Sequence, residues 1–408
     1  MSDKLSILGN AIVGQSGGPT AAINASLAGV IRAAQAAPEI EHIYGMKNGV
    51  EGLVKGVEPI NITLSETQLK LLSSTPASAL GSCRHKLPED FDSEEYKKLE
   101  EVFDRYNIKY FFYIGGNDSM DTVHKLSEYC KLKGRKLRVI GVPKTIDNDL
   151  IGTDHTPGYG SAAKFIAITV QEVLRDCAVY TRPAVTIIEI MGRDAGWLAA
   201  AAALPGAISG VAPDYIYLPE KPFDTSSFLN DIKAALNSHP DVVVAVSEGI
   251  RDAEGNYIGA ALHKGKDVFG NVNLSGVGKA LELLVKEQIG CKVRSIELNL
   301  LQRCASHAAS LTDICESERI GESAVKAALN GETAKMMCFK RKDETEYGID
   351  IISNDVINIA NQTKTVPDSY INDCNNYITD ECINYMLPLI KGELPVVWEN
   401  GIPKHFTF

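Results

Sequence analysis

Apolar residues along this chain fall into short unbroken runs, each followed by a stretch with helical spacing. Ile7 to Val13 is the first such run. It meets glycines, and "AAINASLAGVIRAAQ" (21–35) then repeats apolar residues on one helical face. "KYFFYIGG" (109–116) leads into "SMDTVHKLSEYCK" (119–131), and "KLRVIGVP" (136–143) stops at Pro143 before the helical stretch "GSAAKFIAITVQEVLRDCA" (160–178). "AVTIIEIMGR" (184–193) precedes "AGWLAAAAAL" (195–204), and "DVVVAVSEGI" (241–250) is a further run with a polar tip. A strand with one wet face would alternate apolar and polar residues. Continuous Val/Ile/Phe runs separated by helices instead predict parallel strands covered on both faces, an α/β fold. Beyond about residue 340 the pattern loses its regularity and predicts no definite element.

Ligands of open parallel sheets sit beyond the carboxyl ends of the strands. The polar clusters of this chain fall there: "GQSGGPT" (14–20), "GGNDS" (115–119), "PKTIDND" (143–149), "MGRD" (191–194) and "SEG" (247–249). Turn formation accounts for any one of them. Their recurrence on separate strand ends predicts a common site.

Each cluster has a chemistry and a plainer alternative. Gly17 and Gly18 lack Cβ atoms, so backbone N–H groups there could approach an anion near a helix start; an ordinary strand–helix turn uses glycines too. Gly116 repeats that logic, while Asn117 and Asp118 offer oxygens to a divalent cation or to ligand hydroxyls, and Asp118 or Ser119 could simply cap the following helix. Asp147 and Asp149 stand two apart and in an extended segment would share a side. A carboxylate there could take a proton from a hydroxyl nucleophile, and Lys144 could neutralise a transferring phosphoryl group. An Asp-Asn turn with surface ion pairs is the alternative. Arg193 carries a fork of donors suited to phosphate, and Glu248 could accept from sugar hydroxyls. Arg294 and Arg303 close the segment "RSIELNLLQR", although a lone arginine is more ordinarily a surface ion pair.

The chain has 408 residues, enough for two or three domains without covalent staples. Its formal charge of −11 argues against nucleic acid as a partner and leaves room for a local basic pocket. The 9 cysteines are odd in number and scattered, with no C-x-x-C pair, which reads as reduced thiols in the cytoplasm. No run approaches the roughly 18 apolar residues of a membrane span, and the start is not a basic region followed by a long apolar one, so no membrane partner is expected.

Taken together, "SGGP…IN", "LGSCR", "GGNDS", "PKTIDNDL.GTDHTPG", "EIMGR.AGW", "SEGI" and "R…LQR" resemble the phosphofructokinase family in order and spacing, from about residue 7 to about residue 320. The resemblance implies two doubly wound, Rossmann-like parallel-sheet domains facing each other across an active-site cleft. The larger, on the phosphoryl-donor side, would take residues 1–158 and about 302–365. The smaller, on the sugar-phosphate side, would take 159–301, leaving 366–408 as a C-terminal extension of open placement. ATP-dependent members resemble "GGDGS" and "PGTIDND", whereas pyrophosphate-dependent members resemble "GGDDS" and "PKTIDND". Asp118 and Lys144 place this chain with the second type. A carboxylate at Asp118 would repel a nucleotide α-phosphate, and the Lys144 ammonium would stabilise a pyrophosphate leaving group.

The implied reaction is reversible transfer of a phosphoryl group from pyrophosphate to the 1-hydroxyl of fructose 6-phosphate, with Mg2+ as cofactor. By position, Asp147 would be the base, with Asp149 beside it and Thr145 touching the substrate or the moving group. Met191, Gly192, Arg193 and Glu248 would bind the sugar phosphate. Arg294, Gln302 and Arg303 would hold its 6-phosphate end. Gly17, Gly18, Arg84, Gly116, Asn117 and Ser119 would line the donor site, and Asn117 or Asp118 would approach the metal. The family pattern closes the sugar-phosphate site with a neighbouring subunit, so a homo-oligomer, dimer or tetramer, is expected.

Three positions depart from the pattern. Asn117 replaces a metal-linked aspartate, Leu300 a polar residue before "QR", and Ala184 an arginine that reaches the neighbouring subunit. An ATP-dependent enzyme and a non-catalytic regulatory subunit are the competing readings; the retained Lys144, Asp147 and Asp149 argue against the latter.

Overall fold

The computed structural model describes residues 7–179, 181–259, 276–359 and 362–408. The strands are β1 (Gly9–Gln15), β2 (Ile40–Met46), β3 (Ile60–Ile62), β4 (Ile108–Gly115), β5 (Arg138–Pro143), β6 (Ala184–Ile190), β7 (Tyr215–Tyr217), β8 (Asp241–Ser247), β9 (Lys292–Glu297), β10 (Lys335–Arg341), β11 (Ile349–Asp355), β12 (Trp398–Glu399) and β13 (Ile402–Pro403). They form a seven-stranded sheet in the order β11-β10-β5-β4-β1-β2-β3, a four-stranded sheet in the order β7-β8-β6-β9, and the small hairpin β12-β13. The centre of the large sheet, from β10 to β2, is parallel; only β3 and β11 at its edges run antiparallel. The small sheet is parallel throughout. The chain leaves the large sheet after β5, builds the small one, and returns for β10 and β11.

Both faces of each sheet are covered, which is why the strands read as continuous apolar runs. On one face of the large sheet, Val13, Phe112 and Val142 pack under helix Ile23–Ala36 and helix Leu311–Leu329. On the other, Ile12, Phe111 and Val139 pack under helices Glu94–Arg105 and Asn117–Leu132. The small sheet repeats the scheme, with Val185, Ile187 and Val244 against Phe228, Ile232 and Leu281, and with Ile188 and Ala245 against Tyr159, Ile166 and Leu198. Helices Ile23–Ala36 and Leu311–Leu329 cross at two glycines. A Cβ on Gly29 would stand 2.0 Å from the Glu318 carbonyl oxygen, and one on Gly321 would stand 2.2 Å from that of Ser26.

Three details differ from the sequence expectation. The stretch 195–204 is a helical turn Trp197–Ala200, a 3-10 turn Ala201–Ala203 and a second helix Leu204–Ser209 that opens with Pro205, whose missing N–H suits a first turn. The helix after "GGNDS" starts at Asn117, and neither Asp118 nor Ser119 caps it; its N-cap is Gly116, with no side-chain hydrogen bond. The tail is ordered. β11 is an edge strand with a half-exposed face, so its sequence carries charges a central strand would not. Farther on, Val366, Ile371, Cys382, Met386 and Leu389 join the core around Tyr159 and Trp197, and Ile216 N donates to Asn376 O at 2.8 Å. Among the described residues no helix is long and apolar enough to cross a membrane.

"TDHTPG" sits behind the PKTIDND loop as a buried ionic network. His155 bridges Asp154 through Nδ1 and Glu316 through Nε2, each at 2.8 Å, and stacks on Phe339 with ring centroids 4.7 Å apart. Arg341 on β10 forks onto Asp154 at 3.0 and 3.2 Å, and the Tyr347 hydroxyl donates to Glu316 at 2.9 Å. Burial pulls the His155 pKa down, but the hydrogen bonds and charges of Asp154 and Glu316 outweigh it and the net shift is upward. Burial raises Asp154 in turn, yet His155 and Arg341 bring it down to about 2. The stabilisation from His155 is therefore complete below its unfolded pKa of about 6.5 and lost as pH rises through the folded value. That from Asp154 is complete above about 4 and lost as pH falls towards about 2. His155→Phe, which leaves the buried Glu316 without its cation while Asp154 keeps Arg341, is expected to cost about 3–5 kcal/mol in urea unfolding near pH 6. An unfolding midpoint within error of the wild type would contradict this account.

Candidate functional site

The carboxyl ends of β1, β4, β5, β6 and β8 open on one cleft of about 510 Å³. From the large sheet it receives Gly17 and Gly18 after β1, Gly116 to Ser119 after β4, and Lys144, Thr145, Asp147 and Asp149 after β5. From the small sheet it receives Met191 and Arg193 after β6 and Glu248 after β8; Arg84 and Arg303 reach in from connecting segments. The five polar clusters thus share one site.

The β1 loop is held open by its backbone. Gly17 has φ +78, its N–H donates to Cys83 O at 2.9 Å, and its carbonyl accepts from the Ser82 hydroxyl at 2.6 Å. A Cβ there would stand 3.0 Å from Lys144 Nζ, so the bare backbone is what admits the ammonium. Ser16 and Ser119 join the β1 and β4 loops through a 2.5 Å hydroxyl pair. Gly18 faces Arg303, whose Nη1 would lie 3.3 Å from a Cβ on that glycine.

Lys144 is 3% exposed. Burial lowers its pKa to about 8; Asp147 and Asp149 pull it up, while Arg303 and Arg84 push it down. Asp147 moves the other way. Burial, then the Asp149 and Glu248 carboxylates, raise it to about 7 against the opposing pull of Lys144 and Thr145. Asp149 is also raised, chiefly by burial. Arg303 is lowered by burial and by Arg84 beside it. Five cations, Arg84, Lys86, Lys144, Arg193 and Arg303, and five carboxylates, Asp118, Asp147, Asp149, Asp194 and Glu248, thus crowd one cleft.

The two aspartates do not share a side through strand pleating, as an extended segment would require. Asn148 between them has φ +54, a left-handed turn, and Thr145 Oγ1 accepts from Asp147 N at 3.1 Å. Asp147 and Asp149 both reach the cleft because the turn, not a strand, orients them.

On the small-sheet side the MGRD and SEG loops lock together. The Ser247 hydroxyl donates to Gly192 O at 2.5 Å, Glu248 N donates to Ile190 O at 2.8 Å, and Glu248 accepts from Gly192 N at 3.3 Å. Gly249 has no room for a side chain, since a Cβ would be 2.0 Å from Arg193 O. Burial raises Glu248, against Gly192 N–H and Arg193. Arg193 keeps a buried Nε without a partner among the described residues. A guanidinium left unsatisfied in a cleft is a waiting donor for an anion.

Three expected residues lie off the cleft wall: Gly192, whose N–H and carbonyl are taken up by Glu248 and Ser247, and Gln302 and Arg294. Gln302 is buried beneath the cleft, where its Oε1 accepts from Met191 N at 3.4 Å; it shapes the sugar-side loop without lining the cavity. Arg294 does not join Arg303. It lines a separate hollow of about 270 Å³ with Glu172 and Thr186, 3.9 Å from Asp176. The reason is topological: β9 is the outer strand of the small sheet, and Arg294 lies mid-strand, not at the carboxyl end.

Sequence reasoning passed over His85 and Lys86, which also line the cleft. Lys86 Nζ lies 2.9 Å from Asp118 Oδ1, both largely exposed. The available signal was the basic run that continues "LGSCR" into His85 and Lys86. Asn117 donates through Nδ2 to Gln362 O at 3.0 Å.

A cleft at the carboxyl ends of two largely parallel sheets, with the buried Lys144 ammonium beside carboxylates, has the placement and charge that phosphoryl transfer uses. Residues 10–328 match the phosphofructokinase family. A pyrophosphate–fructose 6-phosphate 1-phosphotransferase of Xanthomonas campestris is 40% identical over 98% of this chain and 96% of its own length. Two solved pyrophosphate-dependent phosphofructokinases superpose closely. That of Nitrosospira multiformis has a TM-score of 0.89 at 36% identity, covering 98% of this chain and 96% of its own. That of Marinobacter aquaeolei has 0.86 at 38%, covering 98% and 95%. The chain belongs to the phosphofructokinase family and is a phosphotransferase.

Gly17→Ala forces an L-residue into the left-handed region against Lys144. It is expected to lower the unfolding free energy by about 1–2 kcal/mol, read by urea denaturation. An unshifted curve would show that the loop relaxes freely.

Proposed function

We propose that the protein transfers a phosphoryl group reversibly from pyrophosphate to the 1-hydroxyl of fructose 6-phosphate, giving fructose 1,6-bisphosphate and phosphate. The observation that carries the reading is the buried Lys144 ammonium against the bare backbone of Gly17, with Asp147 beside it. The names of the relatives support it.

In the forward direction Asp147 takes the proton of the 1-hydroxyl as that oxygen bonds to the transferred phosphorus. The bond from that phosphorus to the bridging oxygen breaks, and phosphate leaves. Lys144 balances charge on the leaving oxygen, with Arg84 and Arg303 around the donor. Thr145 holds the turn from which Asp147 acts, and Asp149, by its charge, keeps Asp147 basic enough to serve. Arg193 and Glu248 hold the sugar phosphate, with Met191 on the wall, Gly192 fixing the loop through Glu248 and Ser247, and Gln302 supporting Met191.

The donor set suits magnesium in one form only. The described residues contain no cluster of three or more His, Cys, Asp or Glu that could hold a metal, and Asn117 and Asp118 offer oxygens on the donor side of the cleft. Mg2+ is commonly bound by one or two carboxylates with substrate phosphates completing its shell, so Asp118 and Asn117 would hold it jointly with pyrophosphate. Bound there, the ion would screen charge on the phosphates.

The larger domain would comprise 1–158 and about 302–365, the smaller 159–301, with 366–408 packed across both. Arg294 supports the reading of a homo-oligomer, dimer or tetramer. Lying outside its own chain's cleft, it is free to complete the sugar-phosphate site of a second copy, which sedimentation across working concentrations tests. A cytoplasmic location fits the substrates.

The deciding assay offers purified protein fructose 6-phosphate and magnesium with either pyrophosphate or ATP; a preference for ATP would sink the donor assignment. Asp118→Gly is expected to raise ATP use, and Lys144→Gly to cut pyrophosphate turnover on the order of 10²–10³-fold without admitting ATP. Asp147→Asn should reduce kcat by roughly 10²–10⁴-fold with little change in KM.

The pH profile should be a bell. Asp147 must be ionised to act as base, so activity falls as pH drops below about 7. Lys144 must be protonated, so activity falls as pH rises above about 8. A kcat/KM profile flat from pH 6 to 9 would exclude these two groups from those roles.

A further inference from the structure

The two loops that face each other across the cleft belong to different sheets, yet one short segment behind them touches both. Lys364 N donates to Asp149 O at 2.7 Å. Its Nζ donates to Asp154 O at 2.6 Å, Thr153 O at 3.3 Å and Asn148 Oδ1 at 3.4 Å. Its carbonyl accepts from Trp197 Nε1 at 3.0 Å, and its ammonium lies 5.1 Å from the centroid of that indole. Two residues on, Val366 N donates to Glu220 Oε1 at 2.8 Å, the same oxygen that accepts from Gly196 N at 2.8 Å. Tyr385 adds a second hold: its hydroxyl accepts from Asn148 Nδ2 at 2.9 Å and donates to Asp154 O at 2.7 Å.

We infer that Lys364 is a positioning residue for phosphoryl transfer: it pins the left-handed turn that aims Asp147 and Asp149, and ties that turn to the loop carrying Arg193. The turn at Asn148 is a strained conformation for a non-glycine residue and persists only where its surroundings hold it. Lys364 satisfies the carbonyls behind it and supplies a positive charge near Asp149 without entering the cavity. Asp149, Asp154 and Arg341 are the charged groups around it, and burial, opposed by the two carboxylates, lowers its pKa to about 8. A half-buried lysine whose ammonium reaches only loop oxygens and an indole acts on the geometry of those loops.

The inference rests on the phosphoryl-transfer reading, and its test is kept separate by comparing variants with the wild type using whichever donor the wild type prefers. In the full-length protein, Lys364→Met is expected to lower kcat on the order of 10²-fold through misplacement of the base, with the KM values for donor and sugar phosphate little changed. Lys364→Arg, which keeps charge and donors, should recover most of that loss. Far-ultraviolet circular dichroism establishes that each variant is folded. If Lys364→Met does not fold, Trp197→Phe, which removes the indole N–H and shrinks the ring beneath the ammonium, carries the test and should lower kcat in the same direction by a smaller factor. A Met variant with wild-type kcat, a loss confined to KM, an Arg variant no better than Met, or an unchanged Trp197→Phe would each overturn the assignment. Failure of the donor reading would appear instead in the wild type.

Discussion

An ammonium group stripped of water must find opposite charge nearby or surrender its proton. Everything in the cleft is arranged around that requirement at Lys144. Asp147 and Asp149 supply compensation from the same loop, and Arg84 and Arg303 work against it. The balance holds the Lys144 pKa at about 8, below the ordinary lysine range. A glycine turn, a lysine and two aspartates meet at one point because none of these charges could be buried there alone. The two parallel sheets exist, in this sense, to bring five strand ends to bear on that point, and their covered faces make the ends rigid.

Much of this was written locally and could be read locally. β1, β4, β5, β6 and β8 were legible because their apolar runs are short, rich in β-branched and aromatic residues, and alternate with helical stretches. The polar residues at their ends were legible because turn formation accounts for any one cluster but not for five on separate strand ends. What was not legible depends on distance along the chain. Lys364 approaches Asn148 across 216 residues, and "QTKTVPD" carries no mark of that approach. The left-handed turn at Asn148 could be guessed from an Asp-Asn pair but not its consequence, that two aspartates reach one cavity without strand geometry. β11 was hidden because an edge strand mixes charge with β-branched residues.

The Arg294 position separates what spacing can tell from what topology decides. Nine residues from Arg303 in sequence, it belongs to a different hollow because the chain turns from the outer strand β9 into the short helix Leu301–Cys304, which carries Arg303. Residues neighbouring in a motif need not be neighbours in a site. Lys86 illustrates the converse: the exposed ion pair it makes with Asp118 joins segments that sequence reading had kept apart.

The crossing of helices Ile23–Ala36 and Leu311–Leu329 at Gly29 and Gly321 bears on how the chain is made. The two backbones touch with no side chain between them, so the first helix has no substitute for that partner. During synthesis from the amino end, the helix that opens the protein stays uncovered on this side until nearly three hundred further residues have emerged. The strands between 184 and 297 are released in the meantime and can close on one another through parallel pairs of their own. The inserted half is thus free to fold as a nascent unit, while the enclosing half, whose strands appear first, is completed last.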